Sequence, residues 1–187
     1  IGIPITITIW PFERTRQQNR RQAARAAPRA LAMGDEPSSE QLKEFFNAIM
    51  DGDVGAASQQ LQVTPALANA LHGTEPPLHL AVRDQQLEVA QLLLRAGANP
   101  SQVDEDTGES ALHLAVYDGY EAGVSLLLPL LGAEGLGARD GEGSTPLHLA
   151  ASSQFAKREI LQALLDAGAR HTWDNDERTP LMAAIAK

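Results

Sequence analysis

The chain contains no cysteine and only eight aromatic residues (two Trp, two Tyr and four Phe) among its 187. Without thiols, disulfides, thiol nucleophiles and Cys-containing zinc sites are all excluded, and an intracellular, reducing compartment fits the composition. Long apolar runs are missing too. A membrane-spanning helix needs ~18–20 apolar residues, and the longest Leu-rich run, Val124 to Leu131, is interrupted by Pro129. The expectation is a soluble, cytoplasmic protein without membrane insertion. What apolar content there is, 43% of the chain, is mostly Leu and Ala, with few β-branched residues outside the first ten positions. That composition suits helices packed through small contacts rather than a sheet.

The net charge of −9 hides a division. Residues 1–33 carry Arg14, Arg16, Arg20, Arg21, Arg25 and Arg29 against Glu13 alone, a net of +5, so the remainder holds −14. Ahead of the arginines, Ile1, Ile3, Ile5, Ile7 and Ile9 occupy every odd position. This strict alternation places them on one side of an extended strand, which Pro4 confines to an edge or to a strand start. Such a segment adds to a partner's sheet edge, packs on an apolar surface, or is a leader without a role. The acid-free stretch 14–33 has the composition of a chloroplast or mitochondrial import segment. It also fits a short nucleic-acid-binding arm or a solvated basic linker. Residues 1–40 therefore read as an N-terminal extension.

The body of the chain repeats one phrase four times. Pro76-Pro77-Leu78-His79-Leu80-Ala81 is followed by Ser110-Ala111-Leu112-His113-Leu114-Ala115. Then come Thr145-Pro146-Leu147-His148-Leu149-Ala150 and Thr179-Pro180-Leu181-Met182-Ala183-Ala184. Counted from the His or its Met replacement, the steps are 34, 35 and 34 residues. Thr145 suits a helix N-cap, and Pro146 suits the first helical position, where a missing donor costs nothing. Each phrase is followed by a second helical stretch, as in Leu87 to Leu94, ending near a glycine such as Gly97, which suits a left-handed cap. Gln41 to Met50 reads as a helix capped by Ser38 or Ser39 and closed by Asp51 to Val54. It forms the start of a degenerate first unit whose second helix is expected over Leu61 to Leu71, broken near Thr64-Pro65.

A period near 33 with a T-P-L-H-x-A core resembles the ankyrin-repeat family, and the resemblance covers roughly residues 41–187. It implies an all-α solenoid of stacked helix-turn-helix units joined by extended, hairpin-like turns. The expected units are a degenerate cap at 41–73, then 74–107, 108–142, 143–176 and an incomplete 177–187. It also implies a non-enzymatic protein–protein interaction module or scaffold. In that family His79, His113 and His148 are structural, their rings bonding backbone groups between neighbouring repeats. Recurring one unit apart, they do not share a metal. No Ser/His/Asp, paired-Glu or phosphate-loop pattern is present, so no cofactor and no metal is expected.

Ankyrin proteins bind through turn tips and the exposed positions of each first helix, which line a concave face. Carried onto this sequence, the tips are Asp104-Glu105-Asp106-Thr107, Arg139-Asp140-Gly141-Glu142 and Trp173-Asp174-Asn175-Asp176. The helix pairs are Arg83-Asp84, Tyr117-Asp118 and Ser152-Ser153. Seven acids at the tips predict steering of a basic or Arg-containing protein segment, with Tyr117 and Trp173 as aromatic anchors. The Asp104 to Gly108 tip is similar to those of inhibitor-of-NF-κB-type arrays.

Departures from the family pattern carry their own expectations. Asp104 to Gly108 and Leu136-Gly137 lengthen two tips. Pro129 ends or kinks a second helix. The last unit stops after one helix, leaving Leu181, Met182 and Ile185 without a capping layer: a fragment, or an end covered by self-association or by a partner. Two other readings stand beside the interaction module. One is nucleic-acid association through the Arg-rich tail. The other is an array that regulates an enzyme whose catalytic part lies beyond Lys187.

Overall fold

A computed structural model describes residues 37–155 and 157–185. The alternating-Ile segment and the Arg-rich tail lie outside the described residues, and so do the roles expected of them. The first helix, α1 (Ser39–Met50), begins where a side chain can cap it. Gln41 N–H donates to the Ser38 hydroxyl at 3.2 Å, and Ser38 N–H donates to Gln41 Oε1 at 2.9 Å, a reciprocal box. Phe45, Phe46, Ala48 and Ile49 are its buried face. The second helix, α2 (Val54–Val63), starts earlier than the sequence pattern indicates. Asp53 supplies the reason: its carboxylate accepts from Ala56 N–H at 2.9 Å. The expected Leu61 to Leu71 helix is instead the end of α2 followed by a 3₁₀ turn at Pro65–Asn69.

The repeated phrases each open a short helix: α3 (Pro77–Arg83), α5 (Ala111–Tyr117), α8 (Pro146–Ser152) and α10 (Pro180–Ile185). The second helices are α4 (Leu87–Arg95), α6 (Glu121–Leu127) and α9 (Arg158–Asp166). Two layers result. The first helices pack in series, α1 on α3, α3 on α5, α5 on α8 and α8 on α10. The second helices form a parallel series, α2 on α4, α4 on α6 and α6 on α9. This is the all-α repeat solenoid that the resemblance implies, each unit stacked on the next.

The phrase explains the packing. Ala48, Ala81, Ala115 and Ala150 form a small, buried column down the first-helix layer, where the absence of bulk lets helices approach. Leu78, Leu112 and Leu147 are 2%, 0% and 1% exposed, while Leu181, in the last copy, is 66% exposed. The same position is thus core wherever a further layer covers it, and Met182 and Ile185 are likewise exposed.

Pro129 acts as its chemistry requires. α6 stops at Leu127 and gives way to a 3₁₀ turn at Leu128–Leu130, then to a four-residue helix, α7 (Ala133–Leu136). The extra residues near Leu136 therefore lengthen the second-helix side rather than the tip, and Leu136 is buried. The tip at Asp104 is the longer one. Asp104 N–H reaches across five residues to Glu109 O, whereas Asp140 and Asp174 reach four residues, to Ser144 O and Arg178 O. Among the described residues no helix is long and apolar enough to cross a membrane.

Candidate functional site

The histidines of the phrase tie each helix to the following tip. His113 Nε2 lies 3.2 Å from Ser144 O, and His148 Nε2 lies 3.1 Å from Arg178 O. Both Nδ1 atoms accept from the backbone N–H that precedes the helix, Ser110 at 3.1 Å and Thr145 at 3.2 Å. A ring that accepts at Nδ1 and faces a carbonyl at Nε2 is the neutral tautomer carrying its proton on Nε2. Burial pushes His113 below the ordinary imidazole range, against the backbone bond that favours its proton. Thr145, expected as an N-cap, forms a reciprocal box with the histidine of its own phrase, whose Nδ1 is 2.9 Å from the Thr145 hydroxyl.

His79 differs in one respect. Its Nε2 reaches Glu109 O at 2.9 Å, but the residue before its helix is Pro76, which offers neither N–H nor hydroxyl. Nδ1 of His79 is buried without a hydrogen-bond partner among the described residues. Burial holds this ring below its ordinary pKa as well.

The tip aspartates are turn builders. Asp104 Oδ1 accepts from Asp106 N–H at 2.8 Å and Thr107 N–H at 2.9 Å, and its Oδ2 accepts from the Thr74 hydroxyl at 3.2 Å. Asp140 Oδ1 accepts from Glu142 N–H at 2.9 Å and Ser144 N–H at 2.8 Å. Asp174 Oδ1 accepts from Asp176 N–H at 2.9 Å and Arg178 N–H at 2.8 Å. Each is an Asx turn, in which the side chain replaces a backbone acceptor. Burial raises the pKa of Asp104 and Asp174, but the converging donors outweigh it and hold both carboxyls below the usual range.

The remaining tip acids face water. Glu105, Asp106 and Glu142 are exposed and form no ion pair among the described residues. The last tip, Trp173 to Asp176, is electrically different, for a reason absent from the expected set. Arg178 pairs with Asp174 through Nε and with Asp176 through Nη2, both at 2.9 Å. Along the helices, Arg83 is half-exposed and bonded to Glu75 at 2.6 Å, with Asp84 3.8 Å away. Tyr117 and Trp173 are 52% and 55% exposed. Asp118 and Ser152 are half-buried. The Ser153 hydroxyl donates to Tyr117 O at 2.8 Å and accepts from Phe155 N–H at 3.0 Å.

Tips and first helices meet at a cavity of about 340 Å³ whose walls include Thr74, Glu75, His79, Arg83, Asp104 and Glu109. Of these, Arg83 and Asp104 belong to the set expected from sequence, while Glu75 and Glu109 do not. Burial raises the pKa of both, and acidic neighbours add to the effect: Asp104 and Asp84 for Glu75, and Asp140, Asp104 and Asp118 for Glu109. Arg83 offsets this for Glu75. The missed signal was positional. Glu75 and Glu109 immediately precede their phrases, where Ser144 and Arg178 stand in later copies, and the carbonyls of Glu109, Ser144 and Arg178 are the ones that receive the histidines.

A family model described as ankyrin repeats, in three copies, matches residues 45–135 and 129–187. The chain belongs to the ankyrin-repeat family. Curated ankyrin-containing relatives agree. The nuclear factor NF-kappa-B p105 subunit of Gallus gallus is 36% identical over 122 residues, 64% of this chain and 12% of that protein. The neurogenic locus notch homolog protein 4 of Homo sapiens is 41% identical over 126 residues, 67% of this chain and 6% of that protein. The ARF GTPase-activating protein Git of Drosophila melanogaster is 38% identical over 90 residues, 48% and 12% of the two chains. The chain thus spans about a tenth of the length of these relatives. Ankyrin repeats are generally protein–protein interaction modules, and the family is typically non-enzymatic.

Proposed function

We propose that this ankyrin array binds a basic, Arg-containing protein segment along the side where its Asp104 and Asp140 tips meet the first helices. The observation that carries the reading is the set Glu105, Asp106 and Glu142: exposed carboxylates at successive tips, without ion-pair partners among the described residues. Like charges in a row focus potential and speed encounter with a cationic chain. Tyr117 contributes an exposed aromatic face beside Asp118, suited to an interface anchor. Asp104, Asp140 and Asp174 act by holding the tips in shape. Arg178 pairs with both acids of the last tip, Asp174 and Asp176, which leaves the acids without ion-pair partners on the Asp104 and Asp140 tips. Trp173, at that last tip, marks the end of this acidic surface.

Two nine-residue Gly/Ser peptides, one carrying three arginines and one three glutamates, test this against the full chain. The arginine peptide should bind at 50 mM salt and weaken steeply by 300 mM, and the glutamate peptide should not bind. Equal binding of the two, or affinity for the arginine peptide that ignores salt, would reject the reading.

A further inference from the structure

We propose that the pocket between α1, α3 and the first tip docks a protein segment in which an aromatic side chain stands next to a carboxylate. The ring fills the pocket, and the carboxylate meets Lys43. This site is independent of the basic-segment reading above.

The pocket has a volume of about 230 Å³. Its apolar lining is Phe46 and Leu80, 3% and 4% exposed, together with Met50, which is 54% exposed. The first tip shapes the rest. It closes in two residues: His72 and Glu75 exchange backbone hydrogen bonds at 3.1 and 3.4 Å around Thr74 and Gly73, the glycine at φ +70°. So short a turn leaves the His72 ring against Phe46, with centroids 4.8 Å apart. An apolar cavity of ~150 Å³ already holds a benzene molecule, so one phenyl group fits here. The Phe46 and His72 rings and the Met50 thioether are favourable neighbours for it.

Charge decides what accompanies the ring. Besides His72, the ionisable side chains lining the pocket are Lys43, Glu75 and Arg83. Glu75 and Arg83 hold each other at 2.6 Å, so their charges offset locally. Lys43 is exposed and forms no ion pair among the described residues. Glu40 and Glu44 share its helix, but neither lines the pocket. The unmatched charge at the pocket is therefore positive, the reverse of the Asp104 and Asp140 tips. A ring beside a carboxylate satisfies the apolar lining and Lys43 together, whereas a ring beside a cation satisfies only the first. An exposed ion pair contributes less than a buried ring, so the ring supplies most of the affinity and Lys43 supplies the preference.

Methionine methyl NMR of the full chain provides the test, because the sequence has only three methionines. Met50 reports on the pocket, and Met182, exposed on α10, serves as the control. Nine-residue Gly/Ser peptides carry Phe-Glu, Phe-Lys or Ser-Glu at their centre. The Phe-Glu peptide should shift the Met50 methyl saturably and leave Met182 in place. The Phe-Lys peptide should bind about threefold more weakly, and the Ser-Glu peptide should leave Met50 unmoved. Lys43→Gln, at an exposed position, should abolish the preference for Glu over Lys. Asn47→Trp, at an exposed position on the pocket wall, should weaken the Phe-Glu peptide about tenfold by covering the pocket. An unmoved Met50, an equal shift from Ser-Glu, or equal affinity for Phe-Lys and Phe-Glu on the unmutated chain would overturn the proposal. So would a Met50 shift that follows protein concentration without peptide, which would assign the pocket to a second copy of the chain. None of these outcomes bears on the three-arginine peptide, whose binding tests the basic-segment reading separately.

Discussion

At the scale of single residues, the phrase is a set of mutual solutions to unsatisfied polar groups, and its second-unit copy is imperfect. Ser110 and Thr145 both satisfy the Nδ1 of the histidine three positions on; Pro76 does not. Pro76 sits at φ −71°, ψ 150°, close to Ser110 at −95°, 165° and Thr145 at −94°, 166°, so a threonine fits there without strain. Pro76→Thr should stabilise the chain by about 1 kcal/mol in urea unfolding, the gain from satisfying a buried acceptor exceeding the lost proline rigidity. A lower midpoint would show that His79 Nδ1 carries no penalty. Much of this scale was legible beforehand. The structural role of the histidines was implied by the family resemblance, whereas Glu75 and Glu109 were marked only by their position just before each phrase, and their half-burial becomes visible only in the fold. The tip aspartates were legible as acids but not as Asx turns, since that depends on which N–H groups the loop turns inward.

At the scale of elements, what separates the units is how closely their connections approach. Gly119 follows α5 at φ +67°, and a Cβ there would stand 2.2 Å from the Phe155 carbonyl oxygen of the next unit. Gly168 follows α9 at φ +91° with nothing within 4 Å. Gly119→Ala should therefore destabilise by about 2–4 kcal/mol, combining backbone strain with a backbone clash, and Gly168→Ala by only about 1 kcal/mol. Matching losses in thermal or denaturant unfolding would mean that the α8–α9 connection yields freely. Helix existence was readable from the phrase and from Pro129. The boundary of α2 was not, because Asp53, rather than the apolar pattern, decides where that helix starts.

At the scale of the whole molecule, burial and charge set an acid response with opposing parts. His79 and His113 have lowered folded pKa values. Their contribution is complete above the ordinary value of 6.5 and declines as pH falls below it, because the unfolded chain takes up the protons first. Glu75 and Glu109 have raised values. They work in the other direction, recovering stability as pH falls toward 4.5. A Glu75→Gln, Glu109→Gln double variant should lose stability more steeply than the unmutated chain between pH 6.5 and 5. Parallel profiles would remove these carboxyls from the balance.

Glu105, Asp106 and Glu142 place the account's weight on one face of the array, and a map of contacts tests that most directly. Amide NMR spectra of the full chain, titrated with the three-arginine peptide, should shift at Glu75, Arg83, Asp104 to Glu109, Tyr117, Asp118 and Glu142, and leave α4 and α9 unmoved. Shifts concentrated on the second-helix layer, or scattered evenly over every acid in the chain, would contradict it.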